Sequence, residues 1–148
     1  MGLAALSMLA MSNSCKKEEA GPVPCAATSN VETTQIAGLN AYIAEPIPNA
    51  GQSLEYVVNS AEDYQALFAG ATPPPVDFGA YTLLAGKTRT ASCSHLLAQQ
   101  VAHTCTGYTY TVRLEAGLCA AATNVAYYVL VPKLPAGASV TFDVRLPQ

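Results

Sequence analysis

The stretch Ser60-Ala61-Glu62-Asp63-Tyr64-Gln65-Ala66-Leu67-Phe68-Ala69-Gly70, then Pro73-Pro74-Pro75, then Val76-Asp77-Phe78-Gly79-Ala80-Tyr81-Thr82-Leu83-Leu84-Ala85-Gly86-Lys87, carries a helix start, a helix stop, a stiff elbow and a buried strand. Ser60 is placed to accept from the amide of Asp63 while the Asp63 carboxylate reaches back, a short-armed capping box. Glu62 and Asp63 also suit the positive end of a helix. Tyr64, Leu67 and Phe68 recur at helical spacing as one apolar stripe, and Gly70 supplies the left-handed residue that commonly ends a helix. A short helix is predicted over residues 60–69. The prolines hold an extended backbone and deliver the chain into a strand predicted to begin at Val76-Asp77-Phe78 and run through Tyr81 to Ala85. That strand is apolar enough to be central. Asp77, at its entrance, is expected to accept amide hydrogen bonds and fix the elbow, with a partner contact as the other reading.

Upstream, Leu54, Tyr56 and Val58 alternate with Glu55 and Asn59 as a half-buried strand leading into the helix, and the loop from Glu45 to Gly51 is marked by Pro46, Pro48 and Gly51. Val31 to Ile43, with Ile36, Leu39, Tyr42 and Ile43 around Gly38, is read as a further strand. Downstream, His95 to His103 and Tyr108 to Glu115 flank Thr104-Cys105-Thr106-Gly107, a hairpin loop by its glycine and its shortness. Tyr108, Tyr110, Val112 and Leu114 alternate with Thr109, Thr111, Arg113 and Glu115. Asn124 to Val131 is a nearly continuous apolar run ending at Pro132. After the turn at Pro135-Ala136-Gly137, Val140, Phe142 and Val144 alternate with polar residues, and these two segments are expected to form a final hairpin. The fold class is therefore mainly β with a minor α part: an antiparallel sheet, curled or sandwich-like, with the helix covering one end.

The chain has 148 residues, of which 51% are hydrophobic and 11% charged, enough for one domain with a real core and too apolar for disorder. Ten acidic against seven basic residues leave no electrostatic footprint for nucleic acid. Residues Gly2 to Met11 form an apolar run too brief to span a bilayer, followed by Ser12-Asn13-Ser14-Cys15, which reads as a signal peptide over residues 1–14 and a lipobox-like cleavage site. Cys15 is then the first mature residue and the lipid-bearing one (an N-acyl or palmitate chain), anchoring the protein in a membrane. Lys16-Lys17-Glu18-Glu19 and Gly21-Pro22-Val23-Pro24 have the composition of a solvated tether, taken as residues 15–30, ahead of a β-domain over 31–148. The charged cluster is similar to sorting signals that send lipoproteins to the outer face of the outer membrane; a periplasm-facing anchor is the alternative.

The other cysteines, Cys25, Cys93, Cys105 and Cys119, are even in number in a chain expected to reach an oxidising compartment, so two disulfides are predicted. Folding back at the Cys105 loop brings Cys93, just before one strand, opposite Cys119, just after the other. Cys25 then joins Cys105. No Cys-x-x-Cys or His-rich spacing points to a metal.

The order of parts resembles the C-terminal domain of the protease complex subunit PrcB family of bacterial lipoproteins. The residues that carry the resemblance are Ser60, Glu62, Tyr64 and Leu67, then Pro75-Val76-Asp77-Phe78, and Tyr127-Tyr128-Val129-Leu130-Val131-Pro132, within residues 54–145. Where that family often has Gly-Gly-Tyr, this chain has Ser92-Cys93-Ser94. The resemblance implies an accessory role beside a surface or secreted protease.

A catalytic centre is not expected. His95 and His103, eight residues apart on one strand, are separated by about 26 Å at strand rise, and no nucleophile, base and orienting group form a trio. No phosphate-binding glycine loop or paired acids for glycoside hydrolysis occur, and no cofactor is expected. Of Tyr127 and Tyr128, which point to opposite faces of one strand, one is assigned to the core and Tyr128 to a possible surface contact. Thr141 and Asp143 on the C-terminal strand are the partner-contact candidates, since an edge strand adds a partner's strand through its backbone. The expected function is an envelope-anchored lipoprotein that binds another protein. The alternative is a carbohydrate- or small-ligand-binding β-module, which would show exposed aromatics beside a concave face.

Overall fold

The computed structural model describes residues 28–39, 42–68 and 71–148. In chain order it contains β1 (Ser29–Val31), β2 (Ser53–Val58), α1 (Ala61–Leu67), β3 (Tyr81–Thr90), β4 (Ser94–Thr104), β5 (Gly107–Ala116), β6 (Thr123–Pro132) and β7 (Val140–Arg145). The strands form two sheets, one ordered β1-β4-β5-β7 and the other β2-β3-β6. The fold is thus mainly β and sandwich-like, as expected, with one short helix. β1 draws Ser29 and Asn30, assigned above to the tether, into the first sheet opposite His103 and Ala102.

β3 is the central strand of the smaller sheet, antiparallel to β2 on one side and β6 on the other. Both of its faces are covered. Leu84 meets Tyr127, Val129, Val101, Tyr110 and Val112 in the core between the sheets, whereas Leu83 and Ala85 meet Ile43, Val58, Tyr64, Leu67, Phe68 and Leu130 in a second core on the far face. The helix therefore covers the outer face of the small sheet rather than one end of the molecule, because its Tyr64, Leu67 and Phe68 stripe needs an apolar surface and that face supplies one. Edge-on ring contacts of Tyr64 with Phe68 and Phe78, and of Phe68 with Tyr128, with centroids 5.4 to 5.7 Å apart, fasten it there.

The helix start follows the capping logic with one change of partner. Asp63 N–H donates to Ser60 Oγ at 3.1 Å, and the Ser60 hydroxyl in turn donates to Asp63 Oδ2 at 2.7 Å, so the carboxylate answers the cap's side chain instead of its backbone. The helix ends at Leu67, and Gly70, the expected stop, lies outside the described residues.

Three expectations on strands are corrected. Val76-Asp77-Phe78 does not open β3: the backbone turns first, with Ala80 and Tyr81 amides donating to Asp77 C=O at 3.2 and 2.9 Å. Val76 and Phe78 are apolar because they pack on the second core. Among the described residues of 31–43 no strand runs beyond Val31, and only Thr34 makes an isolated antiparallel bridge, to Leu130; Leu39 N–H closes a turn onto Ile36 C=O, and Ile36, Leu39 and Ile43 plug the second core. Finally, β6 and β7 do not make a hairpin. β6 pairs with β3, and the chain crosses to the other sheet, where β7 runs parallel to β5 with Tyr108 level with Val140.

The β4–β5 hairpin matches its reading, with Thr104 opposite Gly107 and a register shift between Leu96 and Ala98. Cys93 and Cys119 are disulfide-bonded with Cα atoms 5.3 Å apart. Cys105 is also disulfide-bonded, and Cys25, its expected partner, lies outside the described residues, as do Cys15 and the signal-peptide and lipidation assignments.

The buried threonine hydroxyls of β3 are matched to partners, whereas the buried Tyr64 hydroxyl in the second core has none among the described residues. Thr82 donates to Asn59 Oδ1 (2.7 Å) and accepts from Leu134 N–H (3.1 Å), and Thr88 shares hydrogen bonds with Ser53 (2.6 Å) and Tyr127 (3.2 Å). The ring of Tyr127 lies across Gly86, where a Cβ would fall 2.6 Å from its Oη, so glycine is required by a close approach.

Candidate functional site

Among the described residues β2 and β7 each end a sheet with a strand neighbour on one side only, and the backbone pairing identifies which groups face outward. Just ahead of β2, Arg89 N–H of β3 donates to Gln52 C=O at 3.0 Å, which puts that pair at a hydrogen-bonded position of the ladder. By the alternation of an antiparallel ladder, Leu54, Tyr56 and Val58 also turn their backbone toward β3, and Ser53, Glu55 and Val57 turn theirs to the open side. In β7, Tyr108 N–H donates to Ser139 C=O at 2.8 Å. A parallel ladder then has Thr141 and Asp143 donate to β5, leaving Val140, Phe142 and Val144 with outward amides.

Beside the open edge of β2 runs a groove of about 470 Å³. One wall is α1, through Asp63, Ala66 and Leu67; the other is the strap Ile43-Ala44-Glu45; Glu55 to Val58 form the floor. The strap is held by Lys87, only 6% exposed, whose Nζ donates to the carbonyls of Ile43 (2.6 Å) and Glu45. Burial pulls the Lys87 pKa down, and the Glu45 carboxylate opposes that pull. Tyr56 donates to Glu45 Oε2 at 2.7 Å. Its phenol is pushed up to about 12, chiefly by burial and then by the hydrogen bond and charge of Glu45. Partial burial raises the Glu55 carboxyl as well, and Glu55 has no hydrogen-bond or ion-pair partner among the described residues. Val57, 42% exposed, lines this groove and a second, apolar one toward Leu134, Pro135 and Ala138.

The residues singled out from sequence do not come together. Asp77 fixes the elbow, its Oδ1 accepting from Gly79 N–H at 2.9 Å and its carbonyl from Ala80 and Tyr81. Tyr128 is not a surface aromatic: it packs against Phe68 on the second core while Tyr127 fills the first. Burial raises both phenols. Thr141 and Asp143 do sit on an edge strand, yet their amides are spent on β5, and Asp143 pairs with Arg145 at 2.7 Å on the solvent face. His95 meets Glu115 across the hairpin at 3.1 Å in the open, and His103 stacks on Tyr108 at the far end of β4.

Compared with protein-family models, curated proteins and solved structures, the chain matches none.

Among the described residues, no His, Cys, Asp and Glu side chains group as metal ligands, and no helix is long and apolar enough to cross a membrane. Tyr42, 72% exposed, is the exposed Tyr or Phe side chain among them, and Tyr56, Tyr81 and Tyr108 are half-buried. Of the groove residues, the sequence marked Asp63 only as a helix cap, and Glu45 and Glu55 only as polar residues of a loop and a strand. Glu55 on a half-buried strand directly upstream of a capped helix was the available signal, and only the register tells that its strand is an edge.

Proposed function

We propose that this chain is an envelope-anchored accessory lipoprotein, itself without catalytic activity, that binds another protein by strand addition at an open sheet edge. The observation that carries this reading is that β2 and β7 each have a strand neighbour on one side among the described residues and direct backbone donors and acceptors to the other. The lipobox-like Ser14-Cys15, the polar tether and the resemblance to the PrcB family support it, and the last points to a surface or secreted protease as the partner.

The test is capture from solubilised envelopes by the tagged, lipidated protein, comparing the parent with Val144→Pro and Val57→Pro, each of which removes an outward amide. The expected result is one reproducible protein partner lost in at least one folded variant. Full capture by both variants rules out strand addition at β2 and β7, and turnover of a substrate by the purified domain overturns the non-catalytic reading. Cys15→Ala should move the protein from the membrane to the soluble fraction or leave it unprocessed; unchanged fractionation and mass would refute the anchor.

A further inference from the structure

Resting on that protein-binding reading, we infer that the groove beside β2 receives an extended segment of the partner that carries a lysine or arginine between small apolar residues. The backbone of Glu55 and Val57 offers donors and acceptors at strand spacing along the floor, so an incoming segment continues the sheet as a fourth strand. Its alternate side chains then meet two different surfaces. On the helix face, shared with Tyr56 and Val58, they meet Ile43, Ala66 and Leu67 together with Glu45 and Asp63; on the opposite face, which Glu55 shares with Gly86 and Tyr127, they meet Glu55 and Val57.

Glu45, Glu55 and Asp63 line the groove and, among the described residues, no basic side chain does. The nearby Lys87 does not offset them at the rim, because its ammonium is committed to the strap carbonyls beneath. Glu45 and Asp63 are already held in place by Tyr56 and Ser60, whereas Glu55 has no such partner among the described residues. A cation beside Glu55 gains a charge-assisted hydrogen bond there, whereas an acidic side chain at the same point is repelled; on the helix face Glu45 and Asp63 bias the groove in the same direction.

The experiment uses the full chain with its disulfides intact and a fluorescent peptide, acetyl-Thr-Val-Lys-Val-Thr-Val-amide, read by anisotropy. Two controls accompany it: the same peptide with Glu for Lys, and the Lys peptide N-methylated on alternate amides. The expected result is binding of the Lys peptide at least roughly tenfold tighter than the Glu peptide, weakening with salt, and loss on N-methylation. Glu55→Gln should weaken the Lys peptide by roughly threefold to tenfold, and Glu55→Lys should invert the preference. Equal affinity for the Lys and Glu peptides, no binding of either, or indifference to N-methylation overturns the inference. Envelope capture that survives Val57→Pro but fails in Val144→Pro also overturns it while leaving the protein-binding reading intact. Peptide binding without any captured partner upholds the groove and sinks that reading instead.

Discussion

Gly86→Ala tests the packing of the sandwich at its tightest point. The new methyl would fall on Cε2, Cζ and Oη of Tyr127, and β3 cannot slide away because it is paired at six positions with β2 and at ten with β6. Tyr127 must therefore leave its seat, where it is fully buried, stacks edge-on to Tyr110 with centroids 5.9 Å apart and reaches Thr88 at 3.2 Å. Overpacking of this kind costs about 1–3 kcal/mol, and the hydroxyl bond adds about 1. Lower entropy of the unfolded chain returns about 0.5. The net loss is about 1.5–3.5 kcal/mol, or roughly 10 °C in Tm for a domain of this size. Urea unfolding of Gly86→Ala, Tyr127→Leu and the double variant measures it: the double variant should be less destabilised than the sum by at least about 1 kcal/mol, since the clash disappears with the ring. A Gly86→Ala protein within about 0.5 kcal/mol of the parent, or strict additivity, would refute the reasoning.

Replacing Cys93 and Cys119 together by serine opens a link across a sequence separation of 26 and should cost about 3 kcal/mol, visible as a lower urea midpoint; an unchanged midpoint removes the bond from the list of stabilising features. Lys87→Met keeps the buried stem but leaves the Ile43 and Glu45 carbonyls without their donor, so it should cost about 1–3 kcal/mol and speed amide exchange in the strap. Unaltered exchange there would show that the strap is held by something else. Tyr56 stays protonated up to about pH 12 in the fold but ionises near 10 when unfolded. The native state therefore binds more protons over that window and stability falls as pH rises through it. Tyrosinate absorbance should lag behind the ordinary titration until unfolding, and Glu45→Gln should bring Tyr56 down; an ordinary titration in the folded protein would refute the assignment.

What was legible in the sequence was local. Ser60 and Asp63 fix the helix start within four residues, the alternation from Tyr108 to Glu115 fixes a strand, and one short loop fixes both the hairpin and the Cys93–Cys119 bridge. What was not legible depends on which surface an apolar residue finds. Ile36, Leu39 and Ile43 look like strand residues but serve as plugs on the second core, and Val76 and Phe78 do the same across a turn. The turn at Pro135-Ala136-Gly137 signals a change of direction but says nothing about which sheet receives β7. Lys87 carries no pattern of its own, and its burial follows only from the strap laid over it.

The parallel seam between β5 and β7 is one of the non-local closures of the larger sheet. β5 zips onto β4 through a two-residue loop, but its other side has no neighbour until β6 has joined the opposite sheet and the chain has crossed back. Such non-local closure is slow, and in the interval the flank of β5, with Tyr110 and Val112, is open to the β7 of another copy. The crossover from Lys133 to Ser139 is long enough for the strand to return to its own body; shortened, it would favour exchange between two molecules, and a swapped dimer would be the kinetic product of refolding at high concentration.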